Sequence, residues 1–170
     1  MKPSRTHQLA LYGILISLAF ILGWLETFLP NPLEGMVPGI KLGLANLVII
    51  IALYRLGFPA AATISLIRVL LAAFTFGSLS MFFYSLCGAV FSILTMLLLK
   101  KLKVFSSTGI SIAGGLSHNL GQITVAVLIL GKNLLYYLPY LFLGGCISGL
   151  LIGLLASLIL QHLPPISSLK

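Results

Sequence analysis

The sequence predicts an all-α polytopic membrane protein, a single six-transmembrane-helix bundle with both termini in the cytoplasm. Three observations predict it. Hydrophobic residues make up 59% of the 170-residue chain, charged residues only 7%, and the mean hydropathy is +1.17; a soluble domain carries about a quarter of its residues charged. The apolar residues are gathered into long runs cut by charges and by Pro/Gly breaks, and a hydrocarbon core of ~30 Å takes ~20 such residues per helix. Six spans use about 120 residues, which leaves short loops and no second soluble domain. The runs do not alternate apolar and polar residues, as the ~10-residue strands of a membrane barrel do.

The first span, residues 9–28, follows Lys2 and Arg5. Its end, Gly23-Trp24-Leu25-Glu26-Thr27, lacks the small-x-small pattern of a cleaved signal peptide, so an uncleaved helix is expected. The second, residues 40–55, is the shortest, with 13 uncharged residues between Lys41 and Arg55. That is ~20 Å of helix; it crosses only if both cations reach the interfaces or protein shields it, and a re-entrant segment is the other reading. The third, residues 57–76, carries Arg68. After the break Gly77-Ser78-Leu79-Ser80 the fourth, residues 80–99, stops at Lys100-Lys101-Leu102-Lys103. The fifth covers residues 110–130 and the sixth 134–161.

Lys and Arg set the direction. With a cytoplasmic N-terminus, Lys2, Arg5, Arg55, Lys100, Lys101, Lys103 and Lys170 fall inside, against Lys41 and Lys132 outside. The formal net charge of +8 then reflects topology rather than a nucleic-acid surface. Both acids, Glu26 and Glu34, lie in the outer loop between the first two spans.

Composition excludes several activities. With two Glu and no Asp, no carboxylate-rich site for paired Mg²⁺ ions can be assembled. No G-x-x-x-x-G-K-[ST] segment is present to cradle nucleotide phosphates. Cys87 and Cys146 stand in apolar stretches without metal-ligand spacing and read as small hydrophobes. No catalytic residue, metal ligand or cofactor is expected.

Strongly polar side chains at membrane depth are costly and face a bundle interior or a watered cavity. Placed by helical rise, Asn46, Arg68, Tyr84, His118, Asn119, Gln122, Tyr136 and Tyr140 all fall in the outer half, with Lys41 above them. The inner half offers little polar beyond Ser and Thr. This asymmetry describes a pocket roofed by the outer loops and closed below by Leu, Ile and Val. A channel would carry polar residues through its full depth, and a proton relay would carry a chain of carboxylates. These nine residues are therefore the expected substrate-binding set. Each has a structural alternative: an Arg68 ion pair with Glu26 or Glu34, a packed His118, Asn119 and Gln122 as interhelical hydrogen bonds, and the tyrosines as an interfacial belt. Lys132 reads as a solvated loop residue and Trp24 as an interfacial anchor.

Small residues are the second signal. Gly145, Gly149, Gly153 and Ser157 repeat every four residues in the sixth span, and Gly13/Ser17 and Ala19/Gly23 do so in the first. A small-xxx-small face permits close helix approach, either within the bundle or against a docked membrane subunit.

The segment Pro38-Gly39-Ile40-Lys41-Leu42-Gly43-Leu44-Ala45-Asn46 resembles the opening of the second helix in the Gx transporter family. That family is also labelled heptaprenyl diphosphate synthase component I and is similar to the S components of energy-coupling-factor (ECF) transporters. The resemblance extends over almost the whole chain in length, span number and the long first outer loop. It implies a multi-pass protein of the bacterial inner membrane that captures a small molecule from outside. A transmembrane coupling protein and cytoplasmic ATPases would drive uptake. S components commonly dock through an Ala-x-x-x-Ala motif on the first helix, for which Gly13/Ser17 and Ala19/Gly23 are the nearest matches here. The synthase label implies the alternative, a non-catalytic membrane component beside a prenyl synthase, because the Asp-rich motifs of chain-elongating synthases have no counterpart in a chain without Asp.

The mechanism these readings imply is capture without chemistry. A small, anionic ligand would meet Arg68, Lys41 and His118 and be covered by the loop Thr27–Pro38, stiffened by Pro30, Pro32 and Pro38. Under the alternative, Lys100, Lys101 and Lys103 would dock a soluble synthase or anionic lipid.

Overall fold

Among the described residues six α-helices are laid down in sequence order. The computed structural model describes residues 5–28 and 43–163, so Glu34, Lys41 and most of the expected covering loop lie outside the described residues. Helix α1 spans Arg5–Leu25 and is continued by a 3-10 turn at Glu26–Phe28. Then follow α2 Leu44–Arg55, α3 Phe58–Phe76, α4 Leu79–Leu102, α5 Ser107–Leu130 and α6 Leu138–His162, the last preceded by a 3-10 turn over Lys132–Tyr137. Five helices are long and apolar enough to cross a membrane; α2, at 12 residues, is the exception.

The breaks have local causes. Ser78 and Ser106 are N-caps, their hydroxyls accepting the amides of Met81 at 3.2 Å and Gly109 at 3.1 Å. These caps start α4 and α5 one and three residues before the expected spans. Helix α4 also runs on through Lys100 and Lys101 and stops at Lys103, in the left-handed region at φ 57°. Charged residues end an apolar run but do not end a helix. Between α2 and α3 the chain turns in two residues: the amides of Leu56 and Gly57 fold back on the Ala52 carbonyl at 2.8 and 3.1 Å. Gly57 takes φ 92° there, which a residue without Cβ adopts at little cost. Pro59 sits in the first turn of α3, where its missing N–H leaves no bond unmade.

The helices close into a ring. α1 packs on α3, α3 on α4, α4 on α5, α5 on α6, α6 on α2 and α2 back on α1, with α2 also against α3. None of the twelve residues of α2 is exposed. The short second helix is thus shielded by protein, which satisfies one of the two conditions its length imposes.

Basic side chains tie one end of this ring together. Arg55 Nη2, at the end of α2, donates to the Leu160 carbonyl and, at 2.7 Å, to that of Leu163, at the end of α6. Lys100 Nζ, at the end of α4, donates to the Leu53 carbonyl at 2.5 Å and lies 4.8 Å from the centre of the Tyr54 ring. Cations at helix C-termini satisfy orphan carbonyls and oppose the dipole. The C-termini of α2, α4 and α6 therefore share a basic end.

The core lies toward that end. Ile49, Ile50, Leu53, Ile64, Ile110, Ile152 and Ala156 are almost fully buried in one cluster. In lipid such burial gains packing rather than release from water, so its value lies in close fit.

Candidate functional site

Above the core, between the helices, lies a cavity of ≈ 90 Å³. Its upper wall is built from the ends of α1 and α2. Glu26, 8% exposed, turns its carboxylate onto the N-terminus of α2, accepting the Gly43 amide at 2.5 Å and the Leu44 amide at 3.2 Å. Gly43 is the N-cap of α2, has φ 80°, and has no side chain with which to cap it. Glu26 supplies that cap from another helix and places a negative charge at the positive end of the dipole. Asn46, one turn further along α2, joins Glu26 and Gly43 in the cavity wall.

Arg68 enters from α3. It lines the cavity, and its Nε is buried and has no hydrogen-bond partner among the described residues. Glu26 is the charge that acts on it. Gly23 of α1 lies beside it, where a Cβ would stand in ordinary contact at 3.9 Å from Nη1.

His118 and Gln122 enter from α5, and two glycines of α4 and α5 let them in. A Cβ on Gly88 would lie 2.9 Å from both His118 Cε1 and the His118 carbonyl oxygen, and 3.0 Å from Gln122 Cγ. A Cβ on Gly121 would lie 2.7 Å from the Cys87 carbonyl oxygen and 2.8 Å from Gly88 Cα. Only hydrogen at these two positions permits so close a crossing, which brings the polar face of α5 over α4. Asn119 also lines the cavity, but its Nδ2 donates to the Leu141 carbonyl of α6 at 2.7 Å.

Ser85 of α4 lines the cavity one turn before Gly88; lower down, Ser92 of α4, Ser111 of α5 and Ser148 of α6 continue the polar lining, and Ile50, Met96 and Ile152 close the floor. Hydroxyls thus carry the polar lining on toward the apolar core.

The structure brings together five of the nine expected binding residues: Asn46, Arg68, His118, Asn119 and Gln122. Lys41 lies outside the described residues. Three need correcting. Tyr84 is half-buried but not in the cavity wall, and Tyr136 and Tyr140 are 82% and 51% exposed. Lys132–Tyr137 is a 3-10 turn on the rim, and Tyr140 follows it one turn into α6, so both rings face outward as interfacial tyrosines do.

The expected docking glycines of α6 also need correcting. Gly145, Gly149 and Gly153 are buried against α5: Cβ atoms on them would lie 3.0 Å from Asn119 Nδ2, 2.6 Å from Ile112 Cα and 2.8 Å from Thr108 Cα. They serve the bundle's own α5–α6 contact, where Thr108 Oγ1 also donates to the Gly153 carbonyl at 3.3 Å. Ala19 is buried in the core and Gly23 packs toward Ala45. Gly13 and Ser17 alone of the expected docking set face outward.

Sequence reasoning missed Ser85, Ser92, Ser111 and Ser148, and the role of Gly88; the seven-residue spacing of Ser85 and Ser92 on one helix face was a readable signal. Among the described residues no group of three His, Cys, Asp or Glu side chains could hold a metal ion.

No curated protein and no solved structure matches this chain. The family described as heptaprenyl diphosphate synthase component I matches residues 15–159, a stretch that includes every residue of the cavity wall. The protein is therefore a member of the heptaprenyl diphosphate synthase component I family.

Proposed function

We propose that the protein is a substrate-binding membrane subunit that captures a small molecule in this cavity from the outer face. The observation that carries the reading is a polar cavity inside a closed ring of apolar helices, with a hydrophobic core between it and the basic end. The positive-inside bias puts that basic end in the cytoplasm, so the cavity faces outward. Nothing in the wall suggests chemistry on the ligand. Transport then rests on partners, a transmembrane coupling subunit and cytoplasmic ATPases, with Gly13 and Ser17 on the exposed face of α1 available to the former.

The family description favours a second reading, a non-catalytic membrane component associated with a heptaprenyl diphosphate synthase. In it, the exposed Lys101 and Lys103 would meet the soluble synthase subunit.

Native mass spectrometry of the full chain, purified in mild detergent from its native membrane, tests both. A retained small polar molecule, with ATPases and a coupling protein in the same pull-down, supports capture. A retained polyprenyl lipid, with a prenyl synthase in the pull-down, supports the second reading and overturns the first.

A further inference from the structure

Arg68 brings a buried, unpartnered donor to the cavity. A guanidinium carries five N–H donors in a planar fork, and an intramembrane cation pairs with an acid or with backbone carbonyls. Arg68 Nε has neither among the described residues. Glu26 acts on Arg68 through its charge, but its two oxygens accept the amides of Gly43 and Leu44. Breaking that cap to pair with Arg68 would strip the N-terminus of α2, so the acid is held in place by the helix it starts. Around Arg68 the wall offers further polar groups in Asn46, His118 and Gln122. The cavity is narrow: ≈ 90 Å³ is well below the roughly 300–1,000 Å³ of sites that enclose a whole drug-sized ligand.

We infer that the cavity takes the oxyanion end of its ligand, a carboxylate or phosphate group seated on the Arg68 fork with Asn46, His118 and Gln122 around it, while the rest of the ligand lies toward the mouth. The inference rests on the capture reading and narrows it to one class of ligand. A planar fork matches both oxyanions bidentately, and an oxyanion replaces the acceptor that Glu26 does not supply. A soluble acid and an anionic lipid headgroup present the same group.

The test uses the purified full chain in detergent, with inorganic phosphate and butyrate as probes against chloride at matched ionic strength. The wild type gains about 3 °C or more in thermal midpoint with at least one probe at millimolar concentration. Arg68→Gln loses that gain, while its midpoint in chloride stays within a few degrees of that of the wild type, because no hydrogen bond to Nε is lost. Arg68→Lys, a point charge without the fork, keeps less than half of the gain. The inference is overturned if neither probe moves the wild type, if Arg68→Gln responds as fully as the wild type, or if Arg68→Gln is strongly destabilised in chloride, as the loss of a structural ion pair would make it. The mass of a ligand retained by native mass spectrometry separates the two sources, soluble acid or lipid headgroup. A retained neutral or cationic ligand overturns the oxyanion inference and leaves capture standing, whereas a chain that retains no ligand and responds to no probe loses both.

Discussion

Glu26 and Gly43 stand 17 residues apart and meet at 2.5 Å, the carboxylate of one capping the helix that the other begins. The contact joins the end of α1 to the start of α2 at the upper wall of the cavity. Glu26→Ala is expected to cost about 1–3 kcal/mol, since it leaves two amide donors of a buried helix end without an acceptor. For a chain of this size that is a loss of roughly 2–12 °C in thermal midpoint. Glu26→Gln, which keeps one acceptor oxygen, should lose less than half as much.

Gly149 and Gly13 form a matched pair of tests. A Cβ on Gly149 would lie 2.6 Å from the backbone of Ile112, whereas nothing lies within 4 Å of one on Gly13. Gly149→Leu is expected to separate α5 from α6 and to abolish a monodisperse peak in size-exclusion chromatography. Gly13→Leu should leave that peak and the thermal midpoint unchanged. Under the capture reading it should also reduce co-purification of the coupling subunit.

Asn119 and Gln122 should part in their effects. Asn119 spends a donor on the Leu141 carbonyl, and an interhelical bond of this kind contributes about 0.6 kcal/mol and at most ~1.7. Asn119→Ala should therefore lower the midpoint by a few degrees at most. Gln122→Ala should leave the midpoint within a degree while reducing the fraction of protein that retains ligand in native mass spectrometry.

Arg55 holds the end of α6 through the carbonyls of Leu160 and Leu163. Arg55→Ala should free the last turn of that helix, seen as faster amide hydrogen exchange over residues 158–163 with little change over residues 141–152. Unchanged exchange at the helix end would show that the arginine does not hold it.

The tyrosines mark where reading by depth reaches its limit. The sequence reading groups Tyr136, Tyr140 and His118 in one half of the bundle, yet His118 lines the cavity and the tyrosines are exposed. Depth follows from position along a helix, but facing follows from its rotation about its axis. Neighbours set that rotation, and here the Gly88–Gly121 crossing turns His118 and Gln122 inward. The glycine repeat of α6 was equally visible in sequence, but its partner was not, because a small-residue face is the same whether it meets a helix of its own chain or of another.

Composition and hydropathy alone pointed to a helical membrane protein, because 59% hydrophobic and 7% charged residues admit little else. The runs located the helices to within a few residues, and the rise per residue put Asn46, Arg68, His118, Asn119 and Gln122 at levels where they could meet. Only the tertiary structure decided that they do meet, that no residue of the short α2 is exposed, and that Glu26 serves the start of α2. Each of these depends on which faces of different helices come into contact, and a linear pattern with a period of 3.6 residues carries the faces of one helix but not its partners.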